Sequence, residues 1–363
     1  MSFESELSHE DSLRLNVLMC QDVKAIRINE SNMMLYALLS DREVSIQLNA
    51  NCSESKYLKQ VREFLAFQVL GSPAGYPTFM KRWTRMGQAR DTNLAELLKL
   101  GEPEAVVSVT HASGLTKELA EYAWWCKQSI ESARQMLHQP NVVNSEFAND
   151  LAEFLIEFLP FEEEGKNIIE TVNLLLKYDL VDEKTKQTLW RKGKRKPTYL
   201  IGFVLSLPDD LPDIELSMPH KDFETIRNEA TNTNTNTNNV YHHQLARLYS
   251  QQGQHFINTL ERIITGFSDQ DSAILFFTAI TAYFSEIRQE KNSVNEAFAE
   301  IQKRNSDNTG LMQKYHAIHR LSLIEESNLN EILSHTNAVG TVLRRKLEPL
   351  THSIQEDLAV LKT

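Results

Sequence analysis

Leu151-Ala152-Glu153-Phe154-Leu155-Ile156-Glu157-Phe158-Leu159-Pro160 is the stretch that decides the fold class. Leu151, Phe154, Leu155, Phe158 and Leu159 recur at i, i+3, i+4, i+7 and i+8, which gathers them on one face of an α-helix, and Pro160 closes the segment. Downstream, Ile168, Val172, Leu175 and Leu176 repeat the pattern. Upstream lie shorter amphipathic segments, Leu94 to Leu100, Pro103 to Val109, Leu115 to Trp125 and Ile130 to Leu137. Gly101-Glu102-Pro103 and Ser113-Gly114 separate the first three, with Pro103 suited to a first helical position. Short helices at this density, with no fixed sequence period, predict a compact multi-helix bundle; a HEAT-like irregular solenoid is the weaker alternative.

Nearer the N-terminus the period changes. Ala25-Ile26-Arg27-Ile28-Asn29 and Val44-Ser45-Ile46-Gln47-Leu48 alternate apolar and polar residues, the signature of a short β-ribbon. Between them Met33 to Leu39 is continuously apolar, and periodicity leaves strand or helical turn open. Ser55 to Leu70 then sets Leu58, Val61, Leu65 and Val69 on a helical face, stopped by Gly71-Ser72-Pro73-Ala74-Gly75-Tyr76-Pro77.

From 208 to 239 the composition shifts. Pro208, Pro212 and Pro219 break regular structure, and TNTNTNTNN from Thr231 to Asn239 has nothing to bury. The expected organisation is therefore mainly α. An N-terminal region over 1–207 holds the ribbon and a helical bundle, 208–239 forms a linker, and 240–363 forms a C-terminal helical bundle. In that last region Val339, Leu343, Leu347, Leu350, Ile354, Leu358 and Leu361 define a seam that Pro349 should kink or interrupt.

Composition excludes several functional classes. The 363 residues carry 38 Lys and Arg against 49 Asp and Glu, a net charge of −11 that repels nucleic acid and anionic membranes except at a local basic patch. Cys20, Cys52 and Cys126 are too few and too scattered for a disulfide framework or a CxxC site, so a reducing, cytoplasmic setting is expected. The acidic opening MSFESELSHEDS has no secretory pattern, and the most apolar run, Ala273 to Phe284, is too short for a membrane span.

Motifs for chemistry are sparse. Neither GxxxxGK[ST] nor a GxGxxG after a strand occurs, and the Gly71–Gly75 loop lacks the Lys that would reach a phosphate, so no cofactor is expected. His316 and His319 share a helix face and, with His242, His243 and His255 in the same region, could hold a metal. The Glu-x-x-His pairs typical of iron-binding bundles are missing after residue 239, which favours surface or hydrogen-bonded histidines. Cys126 follows Trp124-Trp125 in an apolar helix and reads as core, whereas Cys52 lies in a predicted loop.

Two basic stretches remain. Arg191-Lys192-Gly193-Lys194-Arg195-Lys196, flanked by Trp190 and Tyr199 as stacking surfaces, could neutralise several phosphates of RNA; docking on an acidic protein partner, or plain solvation, is the default reading of such a charge run. Tyr76, Phe79, Trp83 and Met86 fall at three- and four-residue steps among Lys81, Arg82 and Arg85. Trp, Tyr and Arg dominate many protein interfaces, so Tyr76, Phe79, Lys81, Arg82, Trp83 and Arg85 form the expected protein-contact surface, with burial of the apolar members in a core as the plainer alternative.

Three segments together carry a family resemblance: Glu10 to Leu18 (EDSLRLNVL), Gly71 to Asp91 (GSPAGYPTFMKRWTRMGQARD) and Leu97 to Val109 (LLKLGEPEAVVSV). They resemble DsrS, an accessory protein encoded with the reverse dissimilatory sulfite reductase system of sulfur-oxidising bacteria. The resemblance is strongest over residues 8–210. It implies a soluble cytoplasmic accessory or regulatory protein of sulfur oxidation, acting by contact with that machinery, and it supplies no catalytic residues. RNA-binding post-transcriptional control is the second reading. A metal or thiol enzyme using His316 and His319 or Cys52 is the third.

Overall fold

A computed structural model of the chain describes residues 7–71, 91–213, 217–232, 236–289, 309–324, 329, 332–333 and 338–362. Its elements run α1 (His9–Met19), β1 (Val23–Asn29), β2 (Met34–Leu39), β3 (Glu43–Gln47), α2 (Glu54–Leu70), α3 (Asp91–Leu97), α4 (Pro103–Thr110), α5 (Lys117–Cys126), α6 (Ile130–Leu137), α7 (Pro140–Val143) and α8 (Phe147–Phe158). A 3₁₀ turn (Leu159–Phe161) follows, then α9 (Gly165–Lys177), α10 (Glu183–Gly193), α11 (Thr198–Ser206), α12 (Phe223–Asn232) and α13 (Asn236–Tyr249). The remaining helices are α14 (Gln251–Ile264), α15 (Gln270–Tyr283), α16 (Ser285–Gln289), α17 (Thr309–Ser322) and α18 (Gly340–Lys362). The protein is mainly α with one small N-terminal sheet, and no described helix is long and apolar enough to cross a membrane.

The chain divides into two compact units, Met1–Phe158 and Leu159–Thr363. In the first, the ribbon gains a third strand: Met34–Leu39 pairs antiparallel with both neighbours, giving the order β1-β2-β3. The continuous apolar run is thereby explained, since β2 is the central strand and puts Leu35, Ala37 and Leu39 into the core while its intervening residues are only half-buried. Leu15 and Leu18 of α1, Ile26 and Leu35 of the sheet, and Tyr57, Val61 and Leu65 of α2 form one buried cluster. At its edge the wholly buried Asp11 accepts hydrogen bonds from the Tyr57 hydroxyl and, at 2.7 Å, from the Asn49 N–H, so its charge is not left unpaired. Gly71 ends α2 in the left-handed conformation (φ 67°), where its N–H bonds the Phe67 carbonyl.

Helix starts follow local chemistry. Ser8, Thr116, Ser129, Asp182, Ser250 and Asp269 each accept, through the side chain, a first-turn N–H of the helix that follows.

In the second unit α11 is central. Every residue from Thr198 to Val204 is buried, and the helix packs against α9, α10, α14 and α15. A helix apolar around its whole circumference has to be enclosed in this way. The 208–239 segment expected as a linker instead lies inside this unit. Leu211, Ser217 and His220 are buried, α12 packs on α13 through Ile226 and Ala230, and the Thr/Asn tract contributes the end of α12 and the first turn of α13. The prolines stop helices there, but neighbouring apolar anchors still hold the chain down. The C-terminal seam is present, with Leu343, Leu347, Ile354, Leu358 and Leu361 buried and Val339 exposed ahead of the helix. Pro349 does not interrupt α18; it lies on the exposed side, so the lost N–H costs the helix one bond at its solvent face.

Candidate functional site

The six residues expected to contact protein, Tyr76, Phe79, Lys81, Arg82, Trp83 and Arg85, lie outside the described residues. The other basic stretch forms the C-terminal end of α10 and the turn into α11. Arg191, Lys194 and Arg195 are exposed there, while Lys192 and Lys196 are half-buried. Cations at a helix C-terminus complement its partial negative charge. Lys194 also pairs with Asp213 at 3.2 Å, and the Lys196 ammonium donates to the Glu162 carbonyl at 3.4 Å.

The aromatic half of the RNA reading is corrected by the packing. Trp190 is 4% exposed, set edge-on to Phe203 at 5.1 Å and beside His255 at 5.7 Å, and Tyr199 is 5% exposed. Burial also pushes the Tyr199 hydroxyl above its ordinary pKa. Neither ring offers a face on which a base could stack, because the helical period that carries Trp190 and Tyr199 turns both into the core around α11.

Lys194 of the basic turn borders a half-open cavity of about 230 Å³ with a mixed polar and apolar lining. One wall is a face of α14, where His255, Asn258, Thr259 and Arg262 recur at i, i+3, i+4 and i+7; Trp190 comes from α10 and Lys194 from its C-cap, and Asp213 and Ser217 from the segment before α12. Asp213 has a positive φ of 57°, an uncommon backbone conformation for a residue with a side chain. Two contacts determine the His255 tautomer. Nε2 lies 2.7 Å from the Pro212 carbonyl, which can only accept, so Nε2 carries the proton. Nδ1 lies 2.9 Å from the Ser217 hydroxyl, which donates to it whenever Nδ1 is unprotonated. The Asn258 amide in turn donates to Ser217 Oγ at 3.3 Å. Arg262 is exposed and, among the described residues, its guanidinium is engaged in no ion pair.

His316 is exposed and His319 half-buried, with its Nδ1 3.3 Å from the Tyr241 hydroxyl; His242 is buried against the Tyr315 hydroxyl at 2.9 Å. Burial first, and the neighbouring His316 or His243 second, lowers the pKa of both His319 and His242. Among the described residues no group of three or more His, Cys, Asp or Glu is arranged to hold a metal. Cys20 is exposed and Cys52 half-buried. The Cys126 thiol faces the Ile26 carbonyl at 3.6 Å, and burial pushes it up to about 12, the opposite of an activated nucleophile.

One cluster escaped the sequence reading. Arg27 on β1 lies between the rings of Tyr36 (4.9 Å) and Trp125 (4.7 Å), and Glu43 accepts from both the Arg27 guanidinium at 3.3 Å and the Trp125 indole at 3.0 Å. Arg27 and Tyr36 are direct cross-strand partners, a signal present in the alternation; Trp125 sits far away in sequence and no local pattern announces it. The Ser217 and His255 pairing, 38 residues apart, was equally invisible. Comparison of the chain with family models, with curated proteins and with solved structures gives no match in any of the three.

Proposed function

We propose that this protein is an accessory or regulatory component of cytoplasmic sulfur oxidation, of the DsrS kind, working through protein contacts. The observation that carries the contact reading is the split within the basic stretch. Arg191, Lys194 and Arg195 face solvent while Trp190 and Tyr199 are sealed in the core. Exposed cations without aromatic platforms suit an acidic protein face better than single-stranded RNA, whose sequence-tolerant binding depends on base stacking. The three segments resembling DsrS supply the pathway.

The test is affinity capture from a sulfur-oxidising cell lysate, with and without ribonuclease, using the native chain and an Arg191→Glu/Arg195→Glu variant. The expected result is ribonuclease-resistant capture of sulfur-oxidation proteins that the charge-reversed variant loses. Capture that vanishes with ribonuclease would replace this reading with the RNA one. Capture indifferent to the charge reversal would remove the basic turn as the contact surface.

A further inference from the structure

The N-terminal sheet has two edges, and the chain finishes only one of them. On β1 the Ile26 N–H donates to the Leu98 carbonyl at 2.8 Å, and the Ile26 carbonyl accepts from the Cys126 thiol at 3.6 Å. β3 is the other edge. Two flanking bonds set its parity, one from the Leu48 N–H to the Met33 carbonyl at 2.9 Å and one from the Leu39 N–H to the Arg42 carbonyl at 2.8 Å. Backbone direction alternates along an antiparallel strand, so Val44 and Ile46 bond β2 while the N–H and C=O groups of Glu43, Ser45 and Gln47 point away from it. Among the described residues nothing bonds those outward groups. All three residues are exposed, and Val44 and Ile46 are half-buried. The usual protections of an open edge, a lysine, a proline or a bulge, are missing from 43–47.

The strand is complementary to itself. Turned antiparallel about a two-fold axis at Ser45, it sets Ser45 against Ser45, Glu43 against Gln47 and Val44 against Ile46 of a second copy, and this register alone pairs all five residues. The outward residues then fall in hydrogen-bonded pairs, each exchanging two backbone bonds. Val44 and Ile46 fall in the closer non-hydrogen-bonded pairs, where β-branched side chains touch. Charge agrees with this register. Glu43 is the only ionisable residue of the strand, Arg27 pairs with it at 3.3 Å, and it meets an amide rather than itself. The two Glu43 residues would stand four positions apart along the strands, about 14 Å at 3.4 Å per residue, beyond the Debye length at physiological salt. We infer that β3 is a docking edge for a second copy of this chain, joining two sheets into one of order β1-β2-β3-β3-β2-β1 across a two-fold axis. This inference is independent of the contact reading above. An interface of one short strand is small, so the dimer is weak and forms with rising concentration.

Sedimentation velocity of the full chain from about 1 µM to about 1 mM tests this. A monomer passing to a dimer is expected. Ser45→Pro removes an N–H that points away from β2, a position where an edge strand tolerates proline, so it should keep the far-UV circular dichroism of the parent yet stay monomeric. Ser45→Lys sets like charges face to face at the axis and should weaken association at least tenfold at low salt, with recovery as added salt screens them. In Ser45→Cys/Cys20→Ser the paired Cα atoms would stand about 5.5 Å apart, within disulfide range, so mild oxidation should yield a dimer linked through residue 45. A monomer at every concentration, a dimer that persists in the folded Ser45→Pro and Ser45→Lys proteins, or no cross-link in the cysteine variant would overturn the assignment. Capture of some other extended peptide at this edge by a chain that stays monomeric would do the same.

Discussion

Replacing Gly202 with alanine forces open the contact between α11 and α9. Gly202 sits on α11 against α9, and a Cβ added there would lie 2.7 Å from both Cβ and Cγ1 of Val172 and 3.1 Å from the Ile169 carbonyl oxygen. Carbon atoms at rest stand about 3.5–4.0 Å apart, so α11 would have to retreat by roughly 1 Å. Three other helices pack against α11, so that retreat disturbs them too. Overpacking of this kind costs about 1–3 kcal/mol, and the better helix propensity of alanine returns about 1 kcal/mol. The net expectation is a loss of up to about 2 kcal/mol. Val172→Ala alone should also destabilise, by about 2 kcal/mol for two buried carbons. In the double variant the new methyl fills the vacated space, so the combined loss should fall short of the sum by at least about 1 kcal/mol. Urea denaturation followed by far-UV circular dichroism and tryptophan emission measures all four corners of this cycle. A Gly202→Ala protein more stable than the parent, or strict additivity in the double variant, would refute the reasoning.

Three further outcomes are expected. His242 and His319 have folded-state pKa values below the ordinary 6.5, so the unfolded chain binds protons more readily; the stability they contribute is present above pH about 6.5 and drains away as the pH falls through their folded values, and His242→Gln should make a pH series of melting temperatures flatter below 6.5. Arg320 grips Asp357 with two nitrogens, one at 3.0 Å, and burial raises the pKa of that nearly inaccessible carboxylate; Arg320→Gln should cost about 1–3 kcal/mol, reduced from the value for a fully buried pair because Arg320 is half exposed, and Asp357→Leu in the same chain should restore most of it in chemical denaturation. Tyr57→Phe removes a donor from the wholly buried Asp11 and should lower stability by about 1–3 kcal/mol, whereas an unchanged urea midpoint would mean that the Asn49 contacts satisfy Asp11 alone.

Local information determined much of this protein. The 3.6-residue period placed Ile130–Leu137 to the residue and most other helices of the first unit to within a few, because a helix buries one face and the same residues that form it also pack it. The period-two segments marked β1 and β3, and turn residues such as Gly71 marked where helices end. The basic turn at 191–196 was equally legible, since charge is a property of composition.

Tertiary structure decided the rest. Met34–Leu39, within the apolar run, forms β2 because strands on both sides satisfy its backbone, which no local pattern states. The 208–239 segment was read as a linker from its prolines and its polar tract, yet Leu211, Ile226 and Ala230 anchor it, since the burial of a residue depends on what comes to meet it. Trp190 and Tyr199 carried the residue types of a nucleic-acid platform, and only the enclosure of α11 turned them inward. Trp190, Ser217 and His255 converge on one cavity from three separate segments, because a site is assembled by the packing of elements whose own sequences record only their apolar faces.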